Sequence, residues 1–440
     1  MLKPWPLPST ALTDLAVAAA LPALLEALAG RPGAPPNAVL VAPPGAGKTT
    51  AVPPALLDAP WRRGGRLLVV LPRRLAARAA AARIAALTGL SHGRDIGHVA
   101  RLDTLTGPDV VIECVTPGVF LNRLLEAPDL PGVAALLFDE VHERQLETDL
   151  ALALALDAQA SFRDDLRILA MSATIDGARF AALMGDAPLV ESAGRQFALA
   201  VRHLPGPPGE RLEAAAQRGV DALLGQGDDG GDLLMFLPGV AEIGRVAAAL
   251  AVPPGLELVQ LHGSLPLPAQ RAVLAPAPGR RLVLASAIAE TSLTVPGVRA
   301  VIDLGLARRP RFDRASGLTR VETVKASQAS LAQRAGRAGR LGPGRVVRLF
   351  AEGEMRGRPA FDPPEIMEAD LAPLLLALAR WGASDPSRLP FPDPPPAAAL
   401  ADARRRLEAM GALDAQGRLT ARGARLARLP LPPVLGTLLL

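Results

Sequence analysis

VLVAPPGAGKTTAV, residues 39–52, decides the fold. A run of valine and leucine ends in a loop of small residues, and a helical stretch begins at the lysine. A buried strand, a tight glycine-containing loop and a helix, in that order, make a phosphate-binding loop. Small side chains let backbone N–H groups turn inward, and the helix N-terminus adds partial positive charge. The nucleotide-binding candidates are Gly45, Ala46, Gly47, Lys48, Thr49 and Thr50. Lys48 would neutralise the β- and γ-phosphates, and Thr49 would hold Mg²⁺. Ala42 stands where the usual pattern has its first glycine. The lysine outweighs that departure. The chain has only three lysines, Lys3, Lys48 and Lys325, and an incidental strand–turn–helix has little reason to place one here.

Outward from this loop the same rhythm repeats. Continuous apolar runs start at Asn37, Arg66, Asp109, Val133, Asp165 and Ala187, with a helix expected over 76–87 between the second and third. Unbroken apolar runs fit parallel strands covered on both faces, and their alternation with helices gives a doubly wound α/β domain. HLPGPPGER, residues 203–211, reads as a linker. Further strand-like runs start at Asp232, Leu256, Arg280, Val298 and Gly344, which predicts a second α/β domain in tandem. From about residue 361 the pattern becomes mostly helical, with one strand then a helix in GRLTARGARLARLPL. The expected domains are therefore 1–202, 203–363 and 364–440. The loop GQGDDGGD, 225–232, reads as a solvated turn rather than a metal loop.

One strand ends unlike the others. FDEVHERQLETD, residues 138–149, takes the apolar run AALLF straight into Asp139, Glu140, His142, Glu143 and Arg144. A nucleotide with Mg²⁺ on a phosphate loop needs acidic groups at the end of a neighbouring strand. Asp139 would hold the Mg²⁺ shell, and Glu140 would orient and deprotonate the attacking water.

Composition sets outer bounds. Half of the 440 residues are hydrophobic, ample for sizeable cores. Tyrosine is absent and the basic residues are almost all arginine, so arginine counts carry little weight alone. The net charge of +5 permits a polyanion partner. A single cysteine, Cys114, excludes an internal disulfide and a cysteine-rich metal site, and it reads as a buried strand residue. The opening residues show no signal-peptide pattern. Asp14, Pro22 and Glu26 interrupt the apolar stretch that follows, which reads as an amphipathic helix. A cytoplasmic location is the expectation.

Eight motifs occur in one order: PPGAGKTT, LPRRLAARAA, VTPGVFLNRLL, FDEVHER, MSAT, FLPGVAEI, IAETSLTVPGV and QRAGRAGR. With them the chain, over about residues 15–435, resembles the DEAH/DExH RNA helicase group of superfamily 2. The resemblance implies two tandem RecA-like, doubly wound parallel-sheet α/β domains followed by a mostly helical, winged-helix-like C-terminal domain. It implies an ATP- and Mg²⁺-dependent motor that moves 3′ to 5′ along single-stranded RNA and unwinds duplexes. It implies that His142 couples the nucleotide site to the second domain and that Ser172 and Thr174 link hydrolysis to domain movement. Gln333 would help place the water, with Arg337 and Arg340 as arginine fingers, each worth ~10³ or more in rate. The spacing of three puts Arg334, Arg337 and Arg340 on one helix face.

RNA contacts are expected at Arg73 and Arg74, which open a helix, and at the hydroxyls of Thr116 and Thr291. Relatives carry Thr-Asn where this chain has Ser286 and Ala287, so one amide contact is lost. Arg83 is a candidate for stacking on adenine. Two other functions are weighed: a superfamily 2 ATP-driven DNA translocase, separable by RNA-versus-DNA stimulation, and a nucleotide-gated RNA-binding module without turnover, against which Glu140 and Arg337 argue. The apolar end VLGTLLL reads as an unfinished helix, which predicts a fragment lacking a following ratchet domain.

Overall fold

The computed structural model describes residues 15–173, 176–194, 197–225, 230–290, 295–340, 342–383, 385–429 and 431–440. Contacts divide the chain into two compact units. The first comprises Met1–Gly194, Phe312–Thr319 and Pro363–Leu440; the second, Arg195–Arg311 and Arg320–Asp362.

The first unit is built on a sheet of β1 (Asn37–Val41), β2 (Arg66–Val70), β3 (Ile96–Ala100), β4 (Asp103–Leu105), β5 (Ile112–Val115), β6 (Val133–Phe138), β7 (Arg167–Ser172) and β8 (Leu189–Glu191). Their order is β4-β3-β5-β2-β6-β7-β1-β8. The pairings are parallel except for β3 with β4. Every residue of β6 is buried, as two-sided coverage requires. Register fixes where chemistry can sit. Phe138 faces Val70 and Ala170, and Val41 faces Ser172. The carboxyl ends of β1, β6 and β7 thus finish along one edge, where open parallel sheets place their ligands.

Helices α1 (Lys48–Ala55) and α2 (Arg74–Thr88) pack on one face of this sheet through Val52, Ala77 and Ile84. Helices α3 (Pro117–Glu126) and α4 (Leu146–Phe162) pack on the other through Phe120, Leu124 and Leu154. Cys114 is buried in β5, as its β-branched neighbours predict.

The second unit carries β9 (Leu199–His203), β10 (Asp232–Phe236), β11 (Leu256–Leu261), β12 (Arg280–Ala285), β13 (Val298–Asp303) and β16 (Gly344–Arg348), in the parallel order β11-β12-β10-β13-β16-β9. A separate two-stranded sheet, β14 (Leu306–Asp313) with β15 (Leu318–Lys325), was not expected from the sequence. Helix α5 (Gln328–Gly336) starts at Ser327, whose hydroxyl accepts from the Ser330 N–H.

From Pro363 the chain is helical and belongs to the first unit. Helices α6 (Ala372–Trp381) and α7 (Ala397–Ala409) join the α3–α4 core through Leu374, Leu378, Ala403 and Leu407. That explains α4, which is buried all round from Thr148 to Leu156. A helix apolar on every face needs cover on every face; the sheet supplies one side and the C-terminal segment the other. The Trp381 indole N–H also donates to Asp157 of α4 at 2.7 Å. Beyond α7, a bridge pairs Leu413 with Leu419, and α8 (Ala421–Leu426) follows. Two tandem RecA-like parallel-sheet domains and a helical, winged-helix-containing C-terminal region account for this architecture. Among the described residues no helix is long and apolar enough to cross a membrane.

Candidate active site

The loop between β1 and α1 turns on glycine. Gly45 and Gly47 have φ of 85° and 92°, the left-handed region that side chains disfavour. A Cβ on Gly47 would also meet the Leu15 side chain at 3.0 Å. Ala46 is buried, and its carbonyl accepts from the Val17 N–H at 3.0 Å, so the N-terminal segment braces the loop. Thr50 Oγ1 donates to the Gly47 carbonyl at 3.3 Å.

Lys48 and Thr49, on the first turn of α1, face the acidic end of β6. Lys48 is only 4 % exposed, and its Nζ lies 3.3 Å from Glu140 Oε2. Thr49 Oγ1 donates to Asp139 Oδ2 at 2.5 Å. Burial, and then the Glu140 charge, push the Asp139 carboxyl up to about 6, against Lys48 and the hydrogen bonds from Thr49 and the Glu140 N–H. A buried carboxylate crowded by a second one is where a divalent cation restores the charged form. A hydroxyl and a carboxylate oxygen side by side fit the inner or water-mediated shell of Mg²⁺. Among the described residues no group of three or more His, Cys, Asp or Glu is arranged to hold a metal ion.

Glu140 has φ 54° and ψ 36°, and Arg144 φ 51° and ψ 40°, with a short 3₁₀ turn, Val141–Glu143, between them. Each such residue costs about 1–3 kcal/mol and persists only where its surroundings hold it. His142 is one holder. Its Nδ1 accepts from the Ala173 N–H at 3.1 Å, which assigns the proton to Nε2, and lies 3.4 Å from Glu140 Oε2. Ala173 follows Ser172, the fully buried last residue of β7, so the segment read as coupling residues touches the acidic turn directly. Thr174 lies outside the described residues, as does Thr291.

The proposed RNA contacts are placed as follows. Arg73 is the N-cap residue of α2, and its Nη2 lies 3.3 Å from Glu143 Oε2, a pairing that the sequence did not show. Arg74 is exposed and donates to the Arg101 carbonyl at 3.4 Å. Thr116 is the N-cap residue of α3, at the carboxyl end of β5. Arg83, the adenine candidate, is exposed on α2. Ser286 precedes a short 3₁₀ helix, Ala287–Ala289.

Gln333, Arg334, Arg337 and Arg340 belong to the second unit, and one expectation about them is corrected. Arg334, Arg337 and Arg340 do not share a helix face, because α5 ends at Gly336. Arg337, Ala338 and Gly339 each donate backwards by three residues, so the chain tightens at the glycines and leaves the helix. Arg334, on α5, is locked: Nε on Glu290 Oε2 at 2.9 Å, Nη1 on Asp303 Oδ1 at 3.1 Å, and its guanidinium 5.2 Å from the Phe236 ring centre. It is a structural post. Arg337 is buried, with Nε on the Glu290 carbonyl at 3.0 Å, and Arg340 is half-buried beyond it. The sequence reading missed Glu290 and Asp303 as anchors. The signal for Asp303 was there: an acid ending an apolar strand, as at Asp139.

Three family models match. They are the DEAD/DEAH box helicase over residues 18–182, the helicase conserved C-terminal domain over 216–342, and the winged-helix helicase-associated domain over 403–431. The chain is similar to the ATP-dependent RNA helicase HrpB of Escherichia coli strain K12, 44 % identical over 432 residues, 97 % of this chain and 52 % of that protein. It is similar to the probable ATP-dependent RNA helicase DHR2 of Saccharomyces cerevisiae, 33 % identical over 419 residues, 92 % of this chain and 57 % of that one. A crystal structure of the E. coli DEAH/RHA helicase HrpB superposes with a TM-score of 0.90, covering 97 % of this chain and 54 % of that one. The chain spans about half the length of the curated relatives it matches.

Proposed function

Because the chain belongs to the DEAD/DEAH-box helicases, we propose that it is an ATP-dependent RNA helicase motor that steps 3′ to 5′ along single-stranded RNA and opens duplexes. The observation that carries the reading is the meeting of two sequence-distant motifs within one unit: Lys48 with Glu140, and Thr49 with Asp139. Lys48 and the N–H groups of 45–50 bind the phosphates of ATP. Thr49 and Asp139 would hold Mg²⁺, which would supply charge neutralisation for the phosphates. Glu140, buried beside Lys48, accepts the proton of the attacking water. His142 fixes the turn that carries Glu140 and ties it to the end of β7.

The remaining roles belong to the same reading: Gln333 orients the water, and Arg337 and Arg340 neutralise the γ-phosphate. Arg73, Arg74, Thr116 and Thr291 hold the RNA backbone, with Ser172 and Thr174 as coupling residues. The domain division at 202 and 363, and a cytoplasmic location, where RNA and ATP meet, are parts of the proposal. Strand displacement tests the direction. An RNA duplex with a 3′ single-stranded tail is expected to be opened with ATP and to stay closed without it. Equal or faster opening of a 5′-tailed duplex would sink the directional reading.

A further inference from the structure

The turn from Glu140 to Arg144 begins and ends in left-handed backbone at residues that are not glycine. Its front end is held at the nucleotide site by Lys48 and by the Glu140 N–H, which donates to Asp139 Oδ1 at 2.9 Å. Its rear end is held by Asp149 and by two residues more than 200 positions away. The buried Arg144 guanidinium places Nη2 at 2.9 Å from Asp149 Oδ2 and at 2.6 Å from Asp393 Oδ2. Glu365 grips the backbone of the same residue. Its N–H donates to the Arg144 carbonyl at 3.0 Å, and its Oε2 accepts from the Leu146 N–H, the first of α4, at 2.8 Å. Backbone of this kind survives only where several contacts determine it together. Glu365 and Asp393 fall between the matched family regions, which stop at residue 342 and resume at 403.

We infer that Glu365 and Asp393 are positioning residues for hydrolysis, supplied by the C-terminal segment: by fixing Arg144 they hold the strained turn that aims Glu140 and His142. The inference rests on Glu140 acting as the base. It makes the helical segment part of the hydrolytic machinery as well as a cover for α4. Without the clamp the turn relaxes toward ordinary backbone and Glu140 leaves its working orientation, while Lys48 and the loop still bind ATP. The loss therefore appears in kcat and not in KM.

The test is steady-state ATPase with single-stranded RNA on the full chain and four variants, each assayed below its own melting temperature. Asp393→Asn, which removes the charge paired with Arg144, and Glu365→Ala, which removes the acceptor for the Leu146 N–H, are expected to lower kcat by ~10- to ~100-fold, with KM for ATP within about twofold of the parent. Arg179→Gln removes the other ion pair of Asp393 without touching Arg144, and it leaves kcat unchanged. Glu140→Gln abolishes turnover. Parental kcat in both Asp393→Asn and Glu365→Ala overturns the inference while the Glu140 reading stands. A fall equal to that of Arg179→Gln overturns it too, since packing alone then explains it. Turnover in Glu140→Gln equal to the parent overturns the reading beneath it.

Discussion

At Lys48 the chain places a cation that is 4 % exposed, and the partner that makes this tolerable is a glutamate 92 positions later. A buried charge without a partner is strongly disfavoured. Removing Lys48 therefore loses phosphate affinity and also leaves Asp139 and Glu140 crowded together. Lys48→Ala is expected to abolish ATP binding, measured with a fluorescent analogue. Glu140→Gln keeps binding and loses turnover by ~10²–10⁴-fold. At Gly47 the argument is steric. Gly47→Ala places a Cβ at φ 92° and against Leu15, costing about 1–2 kcal/mol. Its melting temperature and its ATP affinity are both expected to fall, and unchanged values in both would refute the loop geometry. These residues were legible because each breaks a local pattern: a lysine in a chain with three of them, two acids closing an apolar run. The locking of Arg334 was not legible. Its partners Glu290 and Asp303 are 44 and 31 positions away, and spacing within one motif carries no such information.

Among the elements, the buried strands were readable as unbroken apolar runs. The edge strand β9 is mostly exposed, and β15 is exposed at nearly every position, so neither produces a hydrophobic run. Strands β3 and β4 stayed hidden for a related reason: Gly97 and His98 break the apolar run of β3, and Asp103 and Thr104 leave the three-residue β4 without one. Strand β5 shows what an apolar pattern conceals. Glu113 within it is fully buried, accepts from Thr106 at 2.6 Å, and pairs with Arg123 and Arg66. Burial alone would raise its carboxyl, but the hydrogen bonds from Arg123 and Thr106 outweigh it and hold the group below its usual value. A depressed folded-state value stabilises the fold above the unfolded value, and that contribution is lost as pH falls through the folded one. Glu113→Gln is therefore expected to cost about 3 kcal/mol near neutral pH. The difference from the parent shrinks as the pH drops below the ordinary carboxylate range. Urea unfolding at neutral and acid pH measures both, and a cost independent of pH would contradict the assignment.

At the scale of the whole molecule, the two α/β rhythms and the helical change near residue 361 were plain in the sequence. The packing of the last segment was not, although α4 carried half the signal. LALALALDA is apolar on every face, which announces a second cover without saying which segment supplies it. Trp381 and Asp157, 224 positions apart, are part of the answer. The proposed grip on the RNA backbone predicts strong salt dependence. The RNA concentration for half-maximal ATPase stimulation should rise steeply with salt, with a log–log slope of about 0.7 per phosphate contact. A flat profile would remove the phosphate contacts from the account.

The most direct measurement of the central claim is steady-state ATPase of this chain without nucleic acid, with single-stranded RNA and with matched single-stranded DNA, each beside Glu140→Gln. The account predicts turnover that RNA stimulates more than DNA and that disappears in the variant. Turnover that survives Glu140→Gln, or the absence of turnover in every condition, would contradict it.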